Sequence, residues 1–501
     1  MKKIISLLLV LAMVACVFVG CGKKGEDSTG GSVVDTFDWP ENLGDRDFDG
    51  YEFRILTWGA QGGTHWSDYG LSYDESLAGD IVNDAVLTRD STIEQKLNIK
   101  LTYNEQSKES ISEYARNSIY AGSDDFDILS VSINSAASLA GEGLLLDLYD
   151  YKDTLNLDAD WWDQNANKQL SIQNHLYFTT SALTLVDKNA TWVVYFTKGM
   201  IDKYNLCPDY DNGLYSMVEE GDWTIDKMYE MVKAVSSDTN GDGEMTDEDT
   251  YGHCGEMFNL GALMVGCGSH VTEKDSTDTP VYVWTDQVDS LYNSYGYVYD
   301  IVTNNDYSML SGKMGGYGYQ DLWVDGFGSL MTNERVLFNV TGMNRCYLYR
   351  NLDCEFGIVP VPKANKEQEN YHSLMSMGQA NCIAIPQTCV DTDRTTTILD
   401  ALTCLAYQTT YEAYINKALT YKYLRDDDSA SMLSLIFDSR LYDPVDVYGW
   451  GSGTSAFFGQ GPNPTKVTSA MKAVQKLTKS QMKDGLEEFA KVYEDVGEAN
   501  Q

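Results

Sequence analysis

The sequence predicts an α/β protein with at least two packed lobes, and three observations carry that reading. Between residues 51 and 132 the apolar pattern runs strand, helix, strand, helix, strand, the mark of a largely parallel sheet covered by helices. Further strand-like runs follow at 335–343, 354–362 and 380–387. At 501 residues the chain is also longer than one hydrophobic core accommodates.

The chain opens with MKKIISLLLVLAMVACVFVGC. Lys2 and Lys3 are followed by the apolar run Ile4 to Phe18, and the small residue Gly20 precedes Cys21. This is the grammar of an export signal over residues 1–20, too short for an ordinary membrane-spanning helix. Residues 21–47 are poor in large apolar side chains and rich in Gly, Ser and charge, the composition of a flexible tether.

Folded structure is expected from YEFRILTW (51–58), where Phe53, Ile55 and Thr57 alternate as a strand. The glycine-rich loop after it holds Gln61, Trp66 and Asp68. A helix is expected over 80–98 on Ile81, Ala85, Thr88, Ile93 and Leu97, then a strand at 99–103. A helix over 110–122 ends at a glycine, and a strand follows at 126–132. Residues 175–185 and 191–206 are strand-rich, and 223–237 form a helix with Thr224 as N-cap. A helix is expected at 400–418 and a closing amphipathic helix at 468–493 on Met471, Val474, Leu477, Leu486, Phe489 and Tyr493. Residues 270–330 carry no clear period.

Thirty-six Lys and Arg against 75 Asp and Glu give a net charge of −39, or −41 once residues 1–20 with their two lysines are removed. That balance argues against nucleic acid phosphates and anionic lipid surfaces as partners. Thirty-four tyrosines and ten tryptophans suit stacking on flat sugar faces and filling cores alike. Two of the ten cysteines, Cys16 and Cys21, lie in the opening stretch 1–21; the other eight show no CxxC pair and read mostly as buried small side chains. Cys346 with Cys354 and Cys382 with Cys389 are close enough in sequence for disulfides.

The sharpest local motif is DTNGDGEMTDED (238–249). Asp238, Asn240, Asp242, Glu244, Thr246 and Asp249 fall at the oxygen-ligand spacing of a calcium loop, with Gly243 at the sharp turn. A structural Ca2+ is therefore expected there. No GxSxG, HExxH or Walker pattern is present, and the many acids single out no catalytic carboxylate pair. The chain reads as a binding protein, not an enzyme.

Several stretches together resemble the bacterial extracellular solute-binding proteins of family 1, the sugar-binding lipoproteins of ABC importers. They are the lipobox-like VGC at Cys21, the strand ending in Trp58, NDAVLTRDSTIEQKLNIKL, FDIL, YFTKGMIDKYNL, DWTIDKM, VLFNVTGMN and FGIVPVP. The resemblance implies lipidation (palmitate) at Cys21, ahead of Cys16, and an extracytoplasmic monomer tethered to the cell membrane beside its permease subunits. It implies two lobes around a ligand cleft, the first of residues 48–178 and 372–425 and the second of 179–371 and 426–501. After the glycine of VLFNVTGMN the family often places a tryptophan that stacks on sugar; Met343 and Asn344 stand there instead.

Sugar recognition needs aromatic faces and planar polar groups. The loop residues offering them are Trp58, Gln61, Trp66, Asp68, Ser132, Asn134, Trp192, Trp323, Asn344, Arg345 and Trp450. The expected function is capture of a carbohydrate, an oligosaccharide first, for delivery to an ABC permease. An extracellular carbohydrate-active enzyme and a non-transport sensor or adhesion lipoprotein are the alternatives.

Overall fold

The computed structural model describes residues 36–59, 70–424 and 427–499. Cys21, Gln61, Trp66 and Asp68 lie outside the described residues. The chain divides into Met1–Phe37 and Asp38–Gln501. Only residues 36 and 37 of the first unit are described, and the second carries the fold.

The described strands are β1 (Tyr51–Thr57), β2 (Ile99–Glu105), β3 (Ile128–Ser132), β4 (Phe178–Thr179), β5 (Trp192–Thr197), β6 (Tyr251–Gly255), β7 (Thr272–Lys274), β8 (Pro280–Tyr282), β9 (Ser308–Leu310), β10 (Val336–Gly342), β11 (Phe356–Val359), β12 (Ser373–Leu374), β13 (Asn381–Ala384) and β14 (Arg440–Leu441). Two five-stranded sheets run in the orders β2-β1-β3-β13-β4 and β11-β5-β10-β6-β9. The first is parallel from β2 to β3 and antiparallel at β13 and β4. The second is antiparallel across β11, β5 and β10, then parallel to β6 and β9. β13 enters between β3 and β4, so the chain leaves the first sheet, builds the second, and returns. The fold is α/β and two-lobed. β3, β5, β10, β11 and β13 are buried at every position, which is why ILSVS, WVVYFT and VLFNVTG read as continuous apolar runs.

Three helices depart from the periodicity reading, each for a side-chain reason. Helix Ile81–Leu97 starts at its Asp80 cap, whose carboxylate accepts from the amides of Val82 and Asn83. Its buried face is Val82, Val86, Arg89, Ile93 and Leu97, with Ile81 exposed. The expected face holds at Ile93 and Leu97 and shifts in the first half, where Arg89 sits in the core, donating to the carbonyls of Gly70 and Leu71 and pairing with Asp90. Helix Thr392–Ala406 begins well before residue 400, since its buried threonines return their hydroxyls to the preceding turn, Thr396 to Thr392 O and Thr403 to Leu399 O. It continues as π-helical turns to Leu424. Helix Val467–Ala499 buries Val467, Met471, Thr478, Met482 and Phe489, while Leu477 is 60% exposed. Thr478 takes the inner place because Gly451 packs against its backbone, where any Cβ would lie 2.8 Å from Thr478 Cα.

Residues 38–47, expected in the tether, are laid on the folded body. Pro40 and Leu43 are buried, Asn42 donates to the carbonyl of Asp153, and Arg46 pairs with Asp393 at 2.8 Å. The cysteines are mostly buried, as expected, and all eight in the described residues are free thiols, so neither Cys346–Cys354 nor Cys382–Cys389 is bridged. Cys346 Sγ lies 3.2 Å from Tyr195 Oη, Cys382 Sγ donates to Val131 O, and Cys389 Sγ donates to Thr395 Oγ1, so local bonds engage them. No helix among the described residues is long and apolar enough to cross a membrane.

The chain passes between the sheets at 180–191, at 375–380 and through the π-helical stretch to Leu424. A buried ion cluster sits at the first passage. Arg440 donates to Asp163 and to Asp187 Oδ2, and Lys188 Nζ lies 2.8 Å from the same Asp187 oxygen. Burial opposes the charge on Arg440, but the two carboxylates outweigh it and raise its pKa.

Candidate functional site

The passage at 375–380 runs from β12 into β13, with Ser376 N donating to Ala190 O just before β5. At the first-sheet end, Trp58 follows β1 directly and is buried, with the Lys108 ammonium 5.3 Å from its ring centroid. Lys108 in turn donates to Gln379 Oε1. Ser132 ends β3 and caps the helix Ile133–Gly141, accepting from Ser135 N. Asn134 donates to the carbonyls of Asp446 and Val447, and its own amide nitrogen donates to Met377 O. Both polar side chains are thus committed to holding backbone.

At the middle, Trp192 opens β5 in register with Gly342 of β10. Its Nε1 donates to Ser376 Oγ at 2.9 Å, and its ring packs on the partly exposed Phe258 at 5.3 Å between centroids. At the second-sheet end, Met343 N and Asn344 N donate to the carbonyls of Thr191 and Asn189, tying the turn after β10 to the first passage. Asn344 is 2% exposed, yet neither Oδ1 nor Nδ2 has a hydrogen-bond partner among the described residues. Arg345 is 7% exposed, and its Nε and Nη1 are equally unmatched. Its guanidinium carbon lies over Trp323, 3.8 Å from the ring centroid. Burial lowers the Arg345 pKa, and Tyr349, Tyr195, Glu256 and Asp321 only partly offset it.

Trp323 sits on a π-helical turn, Leu322–Phe327, a distortion frequent at functional sites. That turn brings an aromatic to the end of β10, beside the place where Met343 and Asn344 follow Gly342. Of the sequence-derived candidates, Arg345 meets Trp323 directly, Asn344 precedes it in the turn after β10, and Trp192 is in register with Gly342 at the end of that strand. Trp450 is placed elsewhere: it stacks on Tyr448 at 4.8 Å and packs edge-on against Phe489 of the last helix. Lys108, Ser376, Gln379 and Phe258 belong to the strip and escaped the sequence reading. A polar run, SMGQ, directly before strand β13 was the available signal for two of them.

A surface groove of about 930 Å³, lined by Asp226, Tyr229, Tyr297 and Asp300 among others, shares no residue with this strip. Its Tyr229 hydroxyl is already engaged, donating to Asp300 at 2.7 Å.

The loop 238–249 keeps the spacing of a cation site, with its oxygens turned onto its own backbone. Asp238 accepts from Gly241 N and Gly243 N, Asn240 Oδ1 from Asp242 N, and Asp242 Oδ1 from Glu244 N. Asp249 accepts from Thr239 N, Thr246 N and Thr246 Oγ1. Among the described residues no group of three or more His, Cys, Asp or Glu side chains is assembled to hold a metal.

No family model matches the sequence. No curated protein matches it at the level of sequence. Solved structures do match in fold. The maltose-binding periplasmic protein MalE of Listeria monocytogenes, in complex with maltose, is 13% identical over 87% of this chain and 99% of its own, with a TM-score of 0.53. UgpB of Mycobacterium tuberculosis, in complex with glycerophosphocholine, is 12% identical over 87% and 98%, also at 0.53. A cyclo/maltodextrin-binding protein complexed with maltotetraose is 13% identical over 86% and 97%, at 0.52. At these identities the likeness shows the two-lobed binding-protein fold.

Proposed function

We propose that this chain is an extracytoplasmic solute-binding receptor that captures a carbohydrate and passes it to the permease of an ABC importer. The observation that carries the reading is the end of β10, where Asn344 and Arg345 are buried with unmatched polar atoms and Arg345 lies over Trp323. Burying such groups is costly unless a partner meets them. A polyhydroxyl ligand lying on an aromatic face supplies both hydrogen bonds and stacking. The fold shared with MalE and the maltodextrin-binding protein supports the same assignment.

In this reading Trp58 and Lys108 close from the first sheet onto Trp323, Asn344 and Arg345 on the second. The passages at 180–191, 375–380 and 407–424 are the hinge. No bond is made or broken. Tryptophan fluorescence during titration with an oligosaccharide panel tests it: saturable change without release of reducing ends is expected, and product formation would replace the receptor by an enzyme.

Lipidation at Cys21 belongs to the same proposal, supported by the sequence around the cut. One acyl chain holds a protein to a membrane only marginally, so two or more are needed. Cys21→Ala should release the protein into the medium with ligand binding intact. Calcium at residues 238–249 is a separate proposal, supported by the oxygen spacing and opposed by the engagement of those oxygens with backbone amides.

A further inference from the structure

We propose that the ligand is an acidic saccharide whose oxyanion, a carboxylate or phosphate, is held by Arg345. The inference rests on the receptor reading above and specifies its ligand class. Two deeply buried arginines of this chain show the contrast. Arg440 is met by the carboxylates of Asp163 and Asp187. Among the described residues Arg345 has no carboxylate within ion-pair distance, and its Nε and Nη1 meet no hydrogen-bond acceptor.

The acids nearest in effect, Glu256 and Asp321, act on Arg345 only through space. Asp321 is committed to capping, accepting from the amides of Trp323 and Val324 at 2.8 and 3.0 Å. A buried cation left this way is a large cost, which an incoming anion relieves. The planar fork of a guanidinium matches an oxyanion with two parallel hydrogen bonds, and the Trp323 ring behind it fixes its plane. Asn344 supplies a donor and an acceptor for neighbouring hydroxyls, which an anion alone would not use. Lys108 adds a second cation at the other end of the strip, within an otherwise strongly acidic protein.

Isothermal titration of the intact protein with an oligouronide, its methyl ester, a sugar phosphate and a neutral maltooligosaccharide tests the proposal. Binding of the acid or the phosphate about 30-fold tighter than the uncharged counterpart is expected, and which of the two binds identifies the oxyanion. Arg345→Gln should abolish that preference. The same substitution should raise the urea midpoint of the unliganded protein, because it removes an unpaired buried cation; a merely structural arginine would lower it. Equal affinity for acid and ester overturns the acidic ligand and leaves the receptor standing. Absence of binding by every member of the panel overturns both.

Discussion

Arg440 Nη1 donates to Asp187 Oδ2 at 2.8 Å, joining residues 253 positions apart in the chain. Asp187 lies on the first passage between the sheets, and Arg440 also reaches Asp163 at the head of helix Gln164–Leu170. The pair therefore staples the late part of the chain to the first passage between the sheets and to the helix Gln164–Leu170. Arg440→Met should leave Asp163 without its paired cation and Asp187 with Lys188 alone, and cost about 3–5 kcal/mol in urea unfolding. Arg440→Met combined with Asp187→Asn should recover part of that loss. Full stability in the single variant would show that the cluster is not a strut.

Asp400 gives a pH signature of its own. Burial raises its pKa to about 6, against the donated bonds of Trp161, Asn156 and Trp162, which lower it. The folded chain thus holds the Asp400 proton more tightly than the unfolded chain does. The stabilisation is fully present below the unfolded carboxylate pKa and is lost as pH rises through 6. Ionised Asp400 costs about 3 kcal/mol relative to its protonated form. Asp400→Asn should raise the urea midpoint at pH 8 relative to the parent and give little gain at pH 4. A gain that does not depend on pH would exclude this titration.

Gly342 closes β10 beside Asn344. A Cβ there would lie 2.8 Å from Asn344 Oδ1 and 3.3 Å from Asn189 O. Gly342→Ala should displace the Asn344 amide and weaken ligand binding about tenfold by calorimetry. An unchanged dissociation constant would remove Asn344 from the site.

The loop 238–249 separates two outcomes by thermal unfolding with and without calcium. Asp238→Ala removes the acceptor for Gly241 N and Gly243 N and should lower stability by about 1–2 kcal/mol in either condition. If the loop also takes calcium, the ion should raise the melting temperature of the parent and not of the variant. Equal responses would dismiss the cation.

The α/β alternation and most strand positions were legible because apolar runs and period-two patterns depend on local residue type. The phase of helix Ile81–Leu97 was not, since a core arginine at Arg89 contradicts the hydrophobic template it occupies. Trp323, Asn344 and Arg345 were each legible as polar or aromatic loop residues, but not as neighbours. Their meeting depends on a π-helical turn and a strand end that no sequence period encodes. Trp450 carried the same local signal, a tryptophan between glycines, and was drawn into an aromatic stack with Tyr448 instead. Local chemistry marks what a side chain can offer; the topology decides which partner receives it.

Residues 38–47 are fastened to the first lobe alone, through Asn42 to Asp153, Asp47 to Asn98 and Arg46 to Asp393. A pull on the chain before residue 38 is therefore loaded onto the helices of the first sheet. The second sheet, with Arg345 at the end of β10, takes no part in these three contacts, so the proposed closure would move it against a pinned first sheet. In the proposed closure, stator and jaw are set by where ten residues of backbone are pinned.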